Sequence, residues 1–358
     1  EMNANQKKIT PKTKKNYIHK NCLSTGNLFF DKIVGGFSLG TTVLLIQDNY
    51  SKLHNLFIKY FLADGLVQSN KNILLHNNDL LSQVIAEKLP YKSTQVESLL
   101  NAKKISDLKN DEMKIAWRYE NIKYSNIIED IAQSADYIFD ISRSIQEEYK
   151  KNLSIVNYNP NETGKETVLE KIDLMMRSLV LNVQDHMGVI SSQEDNHEDE
   201  ESKNLFQEKC KVRVVIPDFF TNEDFNQTSL LDLSKIKARL MTLKNIARSN
   251  QGVIFVTVNP MDLPERLKDL FYYYFDYVFK INSFTLTDDK IEDYEGIFKI
   301  EKIPRINCLK MPMHNIESDT YGLIMDKRKL IIEQVDIGVE IDRNTKVKEK
   351  DINPKLII

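Results

Sequence analysis

The stretch Ser24-Thr25-Gly26-Asn27-Leu28-Phe29-Phe30-Asp31-Lys32-Ile33-Val34-Gly35-Gly36-Phe37-Ser38-Leu39-Gly40, leading into Val43-Leu44-Leu45-Ile46, decides the fold. Gly26, Gly35, Gly36 and Gly40 permit turn conformations that a Cβ disfavours, and Asp31 is placed to cap or tie the short helical turn between them. Val43 to Ile46 reads as a short buried strand. A polar stretch follows, then an amphipathic segment from His54 to about Gln68, which completes a strand, loop, helix unit. Ile73 to Leu75 repeats the buried-strand pattern, and Asp79 through Leu89 reads as a helix ended by Pro90. Strands alternating with helices predict a parallel sheet.

That order of a Ser/Thr-Gly pair, a later Asp, a Gly-Gly turn and a last Gly before a buried strand resembles the opening of the RecA-like ATPase core. The resemblance implies an α/β RecA-like P-loop NTPase fold with a mainly parallel central sheet. A working phosphate loop reads G-x-x-x-x-G-K-[ST]. Its glycines let backbone N–H groups approach the phosphates, its Lys neutralises charge and its hydroxyl holds magnesium. The equivalent window here is Gln47-Asp48-Asn49-Tyr50-Ser51-Lys52-Leu53-His54. Gln47 stands for the first Gly, Lys52 for the second, Leu53 for the Lys and His54 for the hydroxyl residue, so the nucleotide site is degenerate. A one-residue slip in register would bring Lys52 near a phosphate, but Asp48 would repel that anion.

The second half of the machinery fails in the same direction. The strand Lys211 to Ile216, with Val-Arg-Val-Val-Ile at its core, should end in a magnesium-positioning Asp, and Pro217 occupies that place. Asp218 follows, one step along, where a continuing strand would face the other way. After Leu75 comes His76-Asn77-Asn78-Asp79 rather than a Glu that would serve as base. No catalytic residue is expected, and independent ATP hydrolysis is not.

Further along, Leu153 to Tyr158 reads as a strand, Thr167–Leu181 as a helix and 182–207 as a disordered acidic insertion. Leu233, Ile236, Leu240, Leu243 and Ile246 give a long helix one apolar face. The interspersed Lys235, Lys237, Arg239, Lys244 and Arg248 read as a solvated outer face, with an RNA-facing helix as the competing use. Val253 to Val258 is the next strand. Tyr277–Ile281, Gly296–Ile300 and Tyr321–Glu333 lack intervening helices and predict antiparallel C-terminal strands. The rings from Phe271 to Phe279 read as core, with base stacking as the alternative. Trp117 is expected to pack on the main sheet. The organisation is thus a flexible basic arm over 1–22, a RecA-like domain over 23–337 and a C-terminal tail over 338–358. The arm's lysines, Lys7, Lys8, Lys12, Lys14, Lys15 and Lys20, read as a solvated tail, or as contacts to a phosphate backbone.

Over 358 residues, 41% are hydrophobic and 28% charged, which is ordinary globular usage and enough to bury a real core. With a formal net charge of −3 the molecule is not a polycation, so any nucleic-acid contact comes from a local patch. Cys22, Cys210 and Cys308 are scattered and odd in number, the pattern of reduced intracellular thiols. The six histidines show no His-x3-His spacing, so no metal is expected. No run approaches the ~18 apolar residues that cross a bilayer, and no membrane partner is expected.

The degraded loop, Lys114-Ile115-Ala116-Trp117-Arg118-Tyr119, Phe139-Asp140-Ile141 and Val212-Arg213-Val214-Val215-Ile216-Pro217-Asp218 together resemble the fourth-subunit family of the eukaryotic Elongator complex, over roughly Ser24 to Ile337. The resemblance implies a non-catalytic pseudo-ATPase subunit in a heterohexameric ring of RecA-like chains formed with Elongator subunits five and six. It implies binding of tRNA in an ATP-regulated way, support for wobble uridine modification by another subunit, and contact with the remaining Elongator subunits. The complex is also linked to RNA polymerase II transcription elongation and is expected in cytoplasm and nucleus. No cofactor is then bound by this chain alone, while ATP sits at subunit interfaces. Lys302 and Arg305 loosely resemble the late-strand Lys-x-Arg that reaches a neighbour's ATP. The alternative is a stand-alone RecA-like ATPase with an atypical phosphate loop.

Overall fold

The computed structural model describes residues 22–48, 51–76, 79–94, 136–157, 211–219, 230–259, 265–284, 294–304 and 318–335. The basic arm up to residue 21, Trp117, the helix expected at 167–181, the acidic segment 182–207, Arg305 and the tail from 338 lie outside them.

In chain order the elements are β1 (Cys22–Leu23), α1 (Leu28–Val34), β2 (Phe37–Ser38), β3 (Thr41–Ile46), α2 (Leu53–Val67), β4 (Lys71–His76), α3 (Asp79–Glu87), β5 (Pro90–Ser93) and β6 (Ile138–Ser144). There follow β7 (Leu153–Asn157), β8 (Val212–Ile216), α4 (Leu230–Ser249), β9 (Val253–Val258), α5 (Glu265–Tyr274), β10 (Tyr277–Ser283), β11 (Gly296–Lys302), β12 (Thr320–Met325) and β13 (Leu330–Gln334). Among the described residues nine strands form the main sheet, in the order β13-β12-β11-β10-β3-β9-β8-β4-β7. Every pairing from β10 through β7 is parallel, and β10 to β13 pair antiparallel. This is the RecA-like α/β layout with an antiparallel C-terminal extension that the sequence predicts.

The parallel strands are apolar along their whole length because helices cover both faces of the sheet. Val43, Leu45, Val253 and Phe255 pack with Phe57 and Phe61 of α2, while Leu44, Ile46, Ile254 and Val256 pack with Leu240 and Leu243 of α4 and Phe271 of α5. Alternate residues of one strand therefore serve two separate cores. The α1 side is dense in aromatic rings: Phe30 meets Phe37, Phe57, Phe279 and Phe298 edge-on at 5.0–5.8 Å.

The opening motif works as its residues predict. Asn27 caps α1 by accepting from the N–H groups of Phe29 and Phe30, and Gly35 ends it at φ 70°. Asp31 accepts from Thr25 N–H at 2.7 Å and from the Ser24 hydroxyl, and so ties the turn. Gly26 is pressed on α2, where a Cβ would lie 2.0 Å from the Tyr60 carbonyl oxygen.

Two features differ from the expectation. The segment 321–333 is a hairpin of two strands rather than one, because Asp326-Lys327-Arg328-Lys329 turns the chain with the Asp326 N–H donated to the Lys329 carbonyl. A separate β5/β6 pair stands off the main sheet, its partners too far apart in sequence for a turn signal. In the aromatic run, Phe271, Phe275, Tyr277 and Phe279 are buried as core and Tyr273 is the exposed ring, at 75%.

Candidate functional site

In a parallel α/β sheet ligands sit beyond the carboxyl ends of the strands. Here that end is formed by Ile46 of β3, Val258 of β9, Ile216 of β8 and His76 of β4, with Ser283 closing the β10 side. The window Gln47–His54 leaves β3 at this edge and enters α2, so the fold brings the predicted residues to the expected place.

Gln47 continues the ladder by donating its N–H to the Val258 carbonyl. Its side chain is buried, and Nε2 donates to Asp218 Oδ1 at 2.9 Å. Asp218 reaches it because β8 ends at Ile216. Beyond Pro217 the chain leaves strand geometry, with Asp218 at φ 47°, and the Asp218 N–H donates to Thr257 Oγ1 at 3.0 Å. The alternation of faces along a strand therefore does not extend to Asp218. Its carboxylate crosses the end of β9 and is spent on the Gln47 amide.

Asp48 ties the other way. Its Oδ1 accepts from the N–H and hydroxyl of Ser51, each at 2.8 Å, and its Oδ2 accepts from Ser283 N–H at 2.7 Å. Burial raises the pKa of this carboxyl. The hydrogen bonds from Ser283 and Ser51 outweigh burial and hold the group below the ordinary carboxylate range.

At the head of α2, Lys52 is exposed at the N-cap, with no side-chain cap. Leu53, at the position of the phosphate-binding lysine, turns inward and joins the core. His54, at the magnesium-binding hydroxyl position, is buried. Burial lowers its pKa, with Asp218 and Asp48 pulling it up and Lys52 pushing it down. His54 Nδ1 and Gln47 Oε1 are buried without a hydrogen-bond partner. His76 lies buried at the end of β4, and Asn77 and Asn78 are outside the described residues.

These residues do not fit the phosphates of a nucleotide. The nearby donors hold a carboxylate, the lysine position is in the core, and an incoming anion would face Asp48 and Asp218. Among the described residues no group of three His, Cys, Asp or Glu side chains is placed to hold a metal. No described helix is long and apolar enough to cross a membrane.

Lys302 lies away from this window, since it pairs with Val278 at the start of β10, whereas it is Ser283 at the far end of β10 that meets Asp48. Its ammonium donates to the carbonyls of Tyr272, Tyr273 and Phe275 at 2.7–3.0 Å and caps α5. Beside it Lys244 pairs with Asp276 at 2.6 Å.

The ties that sequence reasoning missed are Gln47 to Asp218, Asp48 to Ser283, and a buried pair between Arg213 and Asp64. An Asp three residues before a Ser at a helix start signals the local Asp48–Ser51 contact. The others join residues 149 or more positions apart and carry no local signal.

The family described as PAXNEB protein matches residues 14–355. The chain belongs to that family. Curated relatives of this PAXNEB chain are each named "Elongator complex protein 4". The one from Dictyostelium discoideum is 24% identical over 345 residues, covering 89% of this chain and 75% of its own. The Xenopus laevis protein is 23% identical over 320 residues, covering 80% and 73%. The Homo sapiens protein is 29% identical over 133 residues, covering 35% and 31%. The fourth-subunit resemblance read from the sequence holds. Among solved structures, the flagellar accessory protein FlaH from Methanocaldococcus jannaschii aligns at TM-score 0.42 and 12% identity, covering 84% of this chain and 93% of its own. The ATPase domain of G40P aligns at 0.43 and 13%, covering 86% and 90%.

Proposed function

We propose that this chain is a non-catalytic subunit of an Elongator-type assembly. It takes its place beside Elongator subunits five and six in a heterohexameric ring of RecA-like chains. In that reading the ring binds tRNA in an ATP-regulated way and supports wobble uridine modification by a separate subunit, in cytoplasm and nucleus. This chain supplies frame and interface, and ATP is held between subunits rather than by this window.

One observation carries the reading. The RecA-like frame is intact, yet the place of the phosphates is taken by this chain's own groups: Gln47 on Asp218, Asp48 on Ser51 and Ser283, and Leu53 in the core. A frame kept without its chemistry fits a partner-dependent subunit. The family membership and the names of the relatives point the same way.

The test is size-exclusion chromatography of the chain with subunits five and six, alongside magnesium-dependent ATP binding by the chain alone. The reading expects a mixed ring and no binding by the isolated chain. Binding and turnover by the isolated chain would favour a stand-alone ATPase instead. For a trans contact to a neighbour's ATP, Lys302 is already engaged as a helix cap, so Arg305 is the residue to test. An Arg305→Ala subunit that leaves the assembled ring's ATPase unchanged removes that role.

A further inference from the structure

Adjacent residues at the exit of β3 tie the window to opposite sides of the sheet. Gln47 binds Asp218 beyond β8, and Asp48 binds Ser283 at the end of β10. The Asp48 tie is the more informative, because a carboxylate is doing there what a bound anion does. Its two oxygens gather a backbone N–H and a hydroxyl from Ser51, just before α2, and a backbone N–H from a strand 235 residues away. Charge-assisted bonds of this kind are roughly twice as strong as neutral ones. The helix that follows has no side-chain cap from Lys52; its first N–H, from Leu53, donates instead to Ser51 Oγ, the hydroxyl that Asp48 holds.

We propose that Asp48 is a built-in anion that ties Ser51, at the head of α2, to Ser283, at the end of β10, and so closes these donors to phosphate. An open phosphate loop changes shape when its anion arrives or leaves. A loop that carries its own anion does not, so this subunit holds a constant face at the strand ends whatever nucleotide is present in solution. The proposal rests on reading 47–54 as a retired phosphate loop but not on membership of a ring. It is tested on the isolated chain, so a failure to assemble and a failure of this inference are separate results.

The experiment is thermal unfolding of the full chain as wild type and as Asp48→Gly, in chloride, acetate and inorganic phosphate at matched ionic strength. Removing the carboxylate is expected to lower Tm. Free acetate or phosphate then restores part of the loss in the variant and leaves wild type unmoved. A variant as stable as wild type overturns the proposal. So does a variant that is destabilised but answers to neither anion, which would make Asp48 an ordinary capping residue, or a wild type that gains as much as the variant. Should Asp48→Gly not fold, Asp48→Asn keeps the shape without the charge. Replacing a charge-assisted bond by a neutral one is worth about 1 kcal/mol, so amide exchange at Ser283 should quicken about fivefold. Unchanged exchange at Ser283 and Ser51 overturns the proposal as well.

Discussion

The guanidinium of Arg213 and the carboxylate of Asp64 lie 2.7 Å apart with both side chains wholly buried, joining β8 to α2 beneath the sheet. Neighbouring groups answer most of the remaining polar atoms, while Arg213 Nε is buried without a hydrogen-bond partner. Arg213 also donates to the carbonyls of Ser24 and Phe61, each at 2.9 Å, and its guanidinium lies over the Phe61 ring at 4.6 Å. Asp64 accepts from Tyr137 Oη and Gln68 Nε2. Burial, then the Asp64 carboxylate, pushes the Tyr137 hydroxyl well above its ordinary pKa, which keeps it a donor. One side chain thus clamps the N-terminal segment, α2 and the sheet together.

Breaking that pair from one side should be severe. Arg213→Met leaves a buried carboxylate without its cation, and a loss of about 3–5 kcal/mol is expected. Asp64→Ala should cost a similar amount. The double variant should lose less than the sum, because each single change strands the other charge. Urea unfolding of the four proteins checks it, and strict additivity would dissociate the two residues.

Gly65 in α2 gives a prediction whose sign is informative. An exposed helical Gly→Ala change ordinarily gains about 1 kcal/mol. Here a Cβ would lie 2.1 Å from Asn72 Oδ1 and 2.6 Å from Arg213 Cδ. Gly65→Ala should therefore destabilise, by about 1–3 kcal/mol, through overpacking. A raised Tm would mean that the clamp yields.

The buried His54 sets a pH dependence. Its folded-state pKa is lowered, chiefly by burial, from the ordinary value of 6.5. The unfolded chain therefore binds the proton more readily than the folded one. Stability from this group is complete above 6.5 and is lost as pH falls through the folded value. His54→Gln should flatten that part of the curve of unfolding free energy against pH. Equal slopes for wild type and variant would remove His54 as the titrating group.

Lys302 should show itself in the isolated chain. Its contacts with the last carbonyls of α5 make Lys302→Met cost about 1 kcal/mol by loss of the cap and of a cation at a helix C-terminus. A residue kept only for a neighbour's phosphate would leave the Tm of the lone chain unchanged. Thermal unfolding separates the two.

Much of this was legible in the chain. Apolar runs such as Val43–Ile46 and Val253–Val258 mark strands covered on both faces, and Gln47, Lys52, Leu53 and His54 mark a window that departs from the phosphate-loop pattern. The sequence misleads at Asp218, where alternation was carried past the last strand residue. It is silent on β5 and β6, whose paired residues lie 45 or more positions apart in the chain.

Local patterns, then, determined which residues form strands, which caps and turns open the fold, and that the phosphate loop is degenerate, because periodicity and turn chemistry act over a few neighbouring residues. The tertiary structure decided which distant groups meet this window. Asp64 with Arg213, Gln47 with Asp218 and Asp48 with Ser283 are separated by 149, 171 and 235 positions. The strand order β10-β3-β9-β8 decides which strand ends share an edge. Only the folded sheet brings Ser283 to Asp48 and Asp218 to Gln47.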